Sequence, residues 1–435
     1  MMRIVGIAAL LGAMSVGCST PGRVTTPQAD VTTGRAPAPT RTLWIATGNN
    51  VVAIAQRSFS ARVLADGKPV FRAFESSNGI AVAEVAESTL DEFVGLIHRG
   101  APRCGGFTVH SSREAALNEV TNPVYAPTFR APRRVFPDTI DQQSVVNQAL
   151  DLVSGTEIVG TIKALQGIGT RYYQSQKGQD AALLVHRQWQ GLGSGRADFS
   201  VDLFPHGWVQ NSVIATIRGA ELPDETVVIG AHLDSISLPS TDDAPGADDD
   251  ASGMAVVTEA LRVLTDIGFK PRRTIQFMAY AAEEVGLRGS GEIADKYKSE
   301  GRKVIAALQM DMTGFRGSDN DIYLVNDFVS PELTSFLKRL MQEYNHSGAH
   351  RITHAETACD YACSDHQSWT RNGVPAAFPF ESAFRDFNRK IHSSEDTVDN
   401  LDATGAHQAR FAKLGLEFLI EMAKAAAPAA RTAVR

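Results

Sequence analysis

Histidine and carboxylate residues that could bind a metal ion occur where apolar segments of the sequence end or begin. Carboxylates that folding brings together repel one another and take up protons unless a cation neutralises them. Imidazole and carboxylate groups are suitable ligands for zinc, and a catalytic zinc site keeps one coordination position for water. Each residue alone is more typical of a solvated surface, but together they predict a catalytic zinc site. The set comprises His232, Asp234, Asp248, Asp249, Asp250, Glu283, Glu284 and Asp311, with His366 and His392 further along the chain.

The size of this set bears on the number of metal ions. Each zinc ion needs about three protein ligands in addition to water. A single ion would leave several of the carboxylates without a counter-charge. Five or six ligand candidates suit two ions about 3.5–4 Å apart that share one bridging carboxylate. The sequence therefore favours two zinc ions per chain.

Alternating strands and helices after about residue 140 would position these side chains. Apolar segments predict strands at 224–232, 274–282, 304–312 and 373–380, and apolar periodicity predicts helices at 252–268, 330–344 and 407–425. This alternation predicts an α/β fold with a mostly parallel or mixed central sheet and helices on both faces. Ligands of such sheets gather at the carboxyl ends of the strands, where the predicted strands end in histidine or acidic residues.

The preceding residues predict a smaller N-terminal unit and a linker. Residues 42–121 have the pattern of a small α+β unit, with strands at 42–47 and 78–85 and a helix at 88–99. Residues 122–138 are rich in proline and arginine, which is typical of a linker that proteases can reach. This linker is either a connection between domains or the processing site of a prodomain. We assign residues 139–430 to the catalytic domain.

The first 41 residues are typical of an exported protein. Residues 1–18 have a short basic start and an apolar segment, as a signal peptide has, and they end with Gly17 and Cys18. We expect either lipidation at Cys18 or simple signal cleavage, so that the chain is a cell-envelope lipoprotein or a secreted protein of a bacterium. Residues 19–41 are rich in proline, threonine and alanine, and we expect a flexible tether there.

Composition and cysteine spacing limit the partners and the redox state. The 435 residues carry a formal net charge of -7 without any basic cluster, so we expect no nucleic-acid partner. We also expect a monomer. Cys359 and Cys363 lie four residues apart and favour a small disulfide loop in an exported protein. Cys104 has no evident partner in the sequence.

Six segments together resemble a known enzyme family. They are GAHLDS (230–235), APGADDDASG (244–253), AYAAEEVGLRGS (279–290), LQMDMT (308–313), CDYACSDHQSW (359–369) and IHSSEDT (391–397). Their order and content resemble the bacterial secreted leucyl aminopeptidases of the co-catalytic di-zinc exopeptidase family, over about residues 140–425. The N-terminal α+β unit is similar to the prodomain of those enzymes.

The resemblance implies a role for each matching polar residue. It implies that Asp234 orients the first histidine and that Glu283 is the general base, whereas His366 has no metal role despite its conspicuous motif. The implied ligands are His232 and Asp311 for one zinc ion, Glu284 and His392 for the other, and Asp249 as the bridge between them.

The resemblance also implies a hydrophobic substrate pocket beside a Cys359–Cys363 disulfide. An aromatic pocket of this kind would favour a leucine-like first residue of the peptide. The residues that would line it are Met312, Tyr361, Phe378, Phe380, Phe384, Phe387 and Ile391.

The expected function is hydrolysis of the first residue from peptides with a free N-terminus. A metal-activated water would attack the peptide bond, and Glu283 would act as the general base. Three alternatives stay open at this point: a carboxypeptidase or other amide hydrolase of the same fold, a single-zinc glutaminyl cyclase-like enzyme, and a non-catalytic binding lipoprotein. The complete ligand set together with Glu283 argues against the last of these.

Overall fold

The structure is a computed structural model that describes residues 41–427 apart from 78, 101–105, 122–135, 138 and 239. The signal peptide, Cys18, the tether and Cys104 lie outside the described residues, as does most of the linker at 122–138. The expectations about these segments therefore stay predictions. Among the described residues, no helix is long and apolar enough to cross a membrane.

The strands and helices are numbered in chain order. The strands are β1 Thr42–Gly48, β2 Phe71–Ser77, β3 Ile80–Ala86, β4 Phe107–His110, β5 Phe199–Phe204, β6 Ser212–Ile217, β7 Leu222–His232, β8 Arg273–Tyr280, β9 Lys303–Gln309, β10 Ile322–Val325, β11 His354–Thr357, β12 Ala376–Ala377 and β13 Pro379–Phe380. The helices are α1 Asn49–Phe59, α2 Leu90–Gly100, α3 Arg113–Thr121, α4 Gln143–Asp151, α5 Gly155–Gln166, α6 Gln176–Leu192, α7 Ala251–Asp266, α8 Arg288–Ser299, α9 Pro331–Tyr344, α10 His366–Arg371 and α11 Ala406–Ala423.

A six-stranded mixed sheet forms the centre of the larger part of the molecule. Its strand order is β12-β9-β7-β8-β6-β5, and the first four strands are parallel. β6 and β5 run antiparallel at the other edge. Along β7, Val227 and Ile229 pack with α7 and α11, whereas Val228 packs with α8 and α10. This alternation, which follows from the two-residue period of a strand, buries both faces of the sheet and confirms the predicted α/β fold.

Two smaller sheets complete the fold. β11-β10-β13 lies beside the central sheet. The N-terminal sheet, β2-β3-β1-β4, is antiparallel throughout, with α1 and α2 packed on one face and α3 on the other. This is the α+β architecture that the sequence predicts for residues 42–121. Its function as a prodomain stays a prediction.

The N-terminal unit packs closely against the catalytic part. Its apolar core includes Tyr172, Tyr173, Ile236, Ala282 and Val285 from beyond the linker. The described residues of both parts belong to one compact unit.

Several element boundaries differ from the sequence predictions, among them the end of β9, which lies at Gln309 rather than at Met312. β8 ends at Tyr280 rather than at Ala282, so Glu283 and Glu284 lie in a turn. The segment predicted as one strand at 373–380 forms two short strands, β12 and β13, in different sheets. Pro379 is the first residue of β13, where the missing N–H of proline is tolerated. A 3₁₀ turn over Glu87–Thr89 precedes α2, so this helix begins at Leu90.

Candidate metal centre and catalytic site

The candidate ligands meet at the carboxyl end of the central sheet. β9, β7 and β8 are adjacent and parallel, so their carboxyl ends lie side by side. His232 is the last residue of β7, Asp311 follows β9, and Glu284 follows β8. All three side chains are buried. Strand order thus brings together residues that are far apart in the sequence.

Asp249 lies between two histidines. It precedes α7, and its Oδ1 is 2.9 Å from Nε2 of His232. Its Oδ2 is 2.9 Å from Nε2 of His392. A carboxylate whose two oxygens reach two different imidazoles has the arrangement expected of a ligand that bridges two metal ions.

The remaining donor atoms fit a metal centre. Oε2 of Glu284 is 2.8 Å from Nε2 of His392, and Oδ1 of Asp311 is 3.7 Å from Nε2 of His232. Among the described residues, Oε1 of Glu284 is buried without a hydrogen-bond partner, and Nε2 of His392 faces the carboxylates of Glu284 and Asp249. Ligand atoms of His232, Asp249 and Glu284 lie within 4.8 Å of one another. A bound cation would satisfy the orphaned oxygen, whose burial is otherwise costly, and nitrogen and oxygen donors of this kind suit zinc.

Asp234 connects the first histidine with the glutamate pair. Its backbone carbonyl is 3.1 Å from Nδ1 of His232, and its carboxylate is 3.6 Å from the same atom. The carboxylate accepts the backbone N–H groups of Glu283, at 2.9 Å, and of Glu284, at 3.2 Å. Asp234 therefore holds the His232 ring mainly through its carbonyl and fixes the glutamate turn through its side chain.

Glu283 lies in an environment that suits a proton acceptor. Its side chain is buried, and this burial raises its pKa well above the usual value, with further contributions from Asp365, Glu284 and Asp311 that His232 opposes. A glutamate with a raised pKa binds a proton more readily than a solvated glutamate. The residue before it, Ala282, has a left-handed φ of 57°. This left-handed residue turns the chain at the end of β8, directly before the two glutamates.

Hydrogen bonds support the ligands in ways that the sequence analysis missed. The hydroxyl of Ser364 donates to Oδ2 of Asp311 at 2.5 Å. Asp250 caps α7 by accepting the N–H of Gly253 at 2.8 Å, and it also accepts the N–H groups of His232 and Met312. Ser364 lies in the CDYACSDHQSW motif and Asp250 in the APGADDDASG motif. They thus stabilise the strand ends that carry the ligands.

Two further residues support the segment that carries Asp249. Arg171 is fully buried and donates to the carbonyls of Leu233 at 2.8 Å, Pro245 at 2.6 Å and Gly246 at 2.8 Å. Burial lowers its pKa, and nearby aspartates oppose this effect. Asp396 accepts the N–H of Asp249 at 3.1 Å. The IHSSEDT motif contains Asp396, whereas no local pattern points to Arg171.

The predicted pocket residues form one apolar cluster. Phe380 and Phe384 are in ring contact at 5.4 Å, and Tyr361 meets Phe384 at 6.0 Å. Met312 directly follows Asp311 and Ile391 directly precedes His392, so the cluster adjoins the metal ligands. Its members are Met312, Val325, Tyr361, Phe378, Phe380, Phe387, Ile391 and the disulfide-bonded Cys359 and Cys363, with the partly buried Val329 and Phe384 packed against them.

His366 lies apart from the ligand groups. It is buried and stacks on Phe378 at 5.1 Å, and burial lowers its pKa to about 3. Among the described residues, its ring nitrogens have no hydrogen-bond partner. It is therefore a neutral aromatic component of the core behind the pocket.

The comparisons with known proteins agree with this geometry. Residues 212–416 match the model of peptidase family M28. Leucine aminopeptidase 1 of Sclerotinia sclerotiorum is 40% identical over 304 residues, which cover 66% of this chain and 76% of that protein. A probable aminopeptidase of Saccharomyces cerevisiae is 35% identical over 357 residues, which cover 78% of this chain and 90% of that protein.

One solved structure extends the similarity beyond the catalytic part. The LapA aminopeptidase of Legionella pneumophila has 26% sequence identity and a TM-score of 0.73, and the match covers 88% of this chain and 99% of that chain. Residues 139–430 are too few to account for that coverage. The similarity therefore includes the N-terminal unit.

Proposed function

The chain belongs to peptidase family M28 and is a zinc-dependent aminopeptidase, and we propose that two zinc ions and Glu283 hydrolyse the first peptide bond of its substrates. The observation that carries this proposal is the position of Asp249, with one carboxylate oxygen on each of two histidines. His232 and Asp311 would hold one ion, and Glu284 and His392 would hold the other. Asp249 would bridge the two ions.

Zinc at this centre would lower the pKa of a water molecule and would stabilise negative charge on the scissile carbonyl oxygen. The protein's own contribution is proton transfer and positioning. Glu283 accepts the proton of the attacking water and then delivers it to the leaving amine. Asp234 keeps Glu283 in place because it holds the backbone N–H of that residue.

The substrate class that we propose is a peptide with a free N-terminus and a hydrophobic, leucine-like first residue. Support comes from the aromatic cluster around Phe380 and Phe384, which adjoins the ligand-bearing segments. A wall of apolar rings next to a polar centre binds an apolar side chain and leaves the peptide bond beside the catalytic groups. One methylene group more or less in such a pocket changes binding by about 1–3 kcal/mol.

The test of the catalytic assignment is Glu283→Gln. We expect this variant to bind zinc like the wild type, because Glu283 is not a ligand, and to lose at least about 100-fold in kcat because the proton acceptor is gone. Hydrolysis of Leu-p-nitroanilide and zinc content should be measured on the same preparation. Glu292→Gln, an exposed glutamate on α8, is a suitable control. Wild-type turnover in the Glu283 variant would refute the assignment.

The same preparation tests the alternative activities. An N-blocked peptide is a substrate for a carboxypeptidase but not for an aminopeptidase, and release of pyroglutamate would indicate a glutaminyl cyclase. The aminopeptidase names of the relatives favour aminopeptidase activity over both of these alternatives.

On the sequence alone, we also propose export by the segment at 1–18, lipidation at Cys18 and a bacterial origin. The relatives in Sclerotinia and Saccharomyces are fungal and do not support that origin.

The interpretation of residues 42–121 as a removable prodomain, and hence of the chain as a zymogen, stays a prediction. Its test is whether nicking near Arg134 raises activity. A monomeric state also stays a prediction.

A further inference from the structure

A histidine of the N-terminal unit contacts one of the proposed zinc ligands. His98, near the end of α2, places both of its ring nitrogens close to Nδ1 of His392, with Nε2 at 3.0 Å and Nδ1 at 3.1 Å. The two rings have a centroid distance of 4.2 Å. The opposite nitrogen of His392, Nε2, is the one that lies beside Asp249 and Glu284. The contact with His98 is therefore on the side of the ring that points away from the metal centre.

The chemistry of a metal-bound imidazole gives this contact a meaning. A histidine that binds zinc through Nε2 carries its proton on Nδ1, and a hydrogen-bond acceptor for that proton fixes the orientation of the ring. For His232, the backbone carbonyl of Asp234 is the acceptor, within the same loop. For His392, the neighbour at the corresponding atom is 294 positions away in the sequence.

The same N-terminal unit also contacts the turn that carries the two glutamates. The N–H of Val109 on β4 donates to the carbonyl of Gly286 at 3.0 Å. Ala282 and Val285, on either side of the glutamates, lie in the apolar core of the unit. Arg288 then forms an ion pair with Glu87 at 2.6 Å, with the arginine side chain only 4% exposed. The turn is thus held on both sides by residues from before the linker.

We infer that His98 is a positioning residue for the zinc ligand His392, and that the N-terminal unit is part of the active site in the intact chain. This inference rests on the proposed function only in taking His392 as a zinc ligand through Nε2. The two interpretations of the N-terminal unit predict opposite effects. If the unit supports the site, loss of its contacts weakens zinc binding, whereas removal of an inhibitory prodomain would raise activity.

The test uses two substitutions that separate hydrogen bonding from packing. His98→Phe keeps an aromatic ring against His392 but removes the acceptor, whereas His98→Gln keeps an acceptor without the ring. Loss of an outer hydrogen bond to a metal-binding histidine typically weakens metal affinity about 10- to 100-fold. We expect that loss for His98→Phe and near wild-type affinity for His98→Gln, measured in the full chain by competition with a chelator.

A control on the same helix accounts for general effects on α2. Glu92 is half exposed and pairs with Arg62 on the surface, so Glu92→Gln should leave zinc affinity unchanged. The melting temperature of each zinc-free variant shows whether the fold is retained. If His98→Phe does not fold, the affinity of His98→Gln compared with His98→Ala decides, because only the glutamine offers an acceptor.

Two results would overturn the inference. Equal zinc affinity in the wild type and His98→Phe would show that the acceptor is not needed. Higher hydrolysis of Leu-p-nitroanilide by either variant, at unchanged zinc affinity, would show that the unit covers the site rather than supporting it. If zinc affinity depends on His98 but the wild type hydrolyses no peptide, the proposed function is rejected. The positioning role of His98 would then still hold.

Discussion

At the scale of single residues, the proposed two-zinc centre depends on one carboxylate that connects its two metal positions. Of the described residues, Asp249 is the one whose carboxylate lies within 2.9 Å of both His232 and His392. Burial would raise its pKa, but hydrogen bonds from His232 and His392 outweigh this and keep the pKa well below the usual value. Asp249 is therefore ionised, as a bridging ligand must be.

Asp249→Asn should separate a two-ion centre from a one-ion centre. The amide offers a single oxygen and no charge, so it cannot serve both ions, and we expect zinc content to fall from two per chain to one or fewer. Activity should fall by more than about 100-fold, because loss of a ligand exceeds the usual effect of losing an outer hydrogen bond. Zinc per chain is measured by elemental analysis after dialysis.

Asp243→Asn is the matched control for this variant, since Asp243 is exposed in the same loop between β7 and α7. Unchanged zinc content in Asp249→Asn would argue against a bridge. A wild-type value of one zinc per chain would limit the centre to a single ion.

At the scale of elements, the turn after β8 links the N-terminal unit to catalysis. Gly286 has a φ of 101°, and a Cβ atom there would lie 2.6 Å from the ring of Phe107 and 2.8 Å from Val109. Only glycine lets β4 approach the turn that carries Glu283 and Glu284. The close approach therefore couples the position of the unit to the position of the glutamates.

Gly286→Ala should consequently lower both stability and turnover. Overpacking of this kind costs about 1–3 kcal/mol, and displacement of the turn should reduce kcat. The control is Gly301→Ala, which also has a positive φ, 67°, but meets nothing within 4 Å. This control therefore has a left-handed backbone without the clash with Phe107. Chemical denaturation and steady-state kinetics on both variants provide the comparison, and equal behaviour of the two would show that β4 does not constrain the turn.

Sequence patterns could predict the elements and most of the ligand set for a definite physical reason. Adjacent parallel strands end at the same edge of the sheet, so His232 and Asp311 had to meet once their strands were recognised. The start of the helix predicted at 330–344 is equally local, because the hydroxyl of Ser330 accepts the N–H of Leu333 at 3.2 Å and caps α9. The end of β8 at Tyr280 has no comparable local signal, and the turn after it contacts the N-terminal unit, which is distant in sequence.

The contributions of Arg171 and His98 could not be predicted from the sequence. Arg171 donates to backbone carbonyls, which every residue possesses, so no residue type marks its partners. His98 lies on an amphipathic surface helix, and only the packing of α2 against the segment 391–397 brings it to His392. Both roles arise from the tertiary structure and leave no periodic or motif signal.

At the scale of the whole molecule, buried histidines make the fold sensitive to acid. His407, in the first turn of α11, is buried, and among the described residues its ring nitrogens have no hydrogen-bond partner. Burial lowers its pKa from 6.5 to about 4, with Arg410 and Arg316 contributing and Asp321 and Asp402 opposing. In the unfolded chain, this imidazole takes up its proton near pH 6.5.

The direction of the effect follows from proton linkage. Between pH 6.5 and about 4, the unfolded state binds a proton at His407 that the folded state does not, so the free energy of unfolding decreases as the pH falls. One pKa unit corresponds to about 1.4 kcal/mol, so this residue contributes up to about 3 kcal/mol of the loss. His407→Gln should therefore unfold with a smaller pH dependence over this range than the wild type, whatever its stability at pH 7. Urea unfolding at pH 7, 6, 5 and 4.5 measures both slopes, with His186→Gln, a partly exposed histidine on α6, as the control. Identical slopes for His407→Gln and the wild type would show that burial does not hinder protonation of His407.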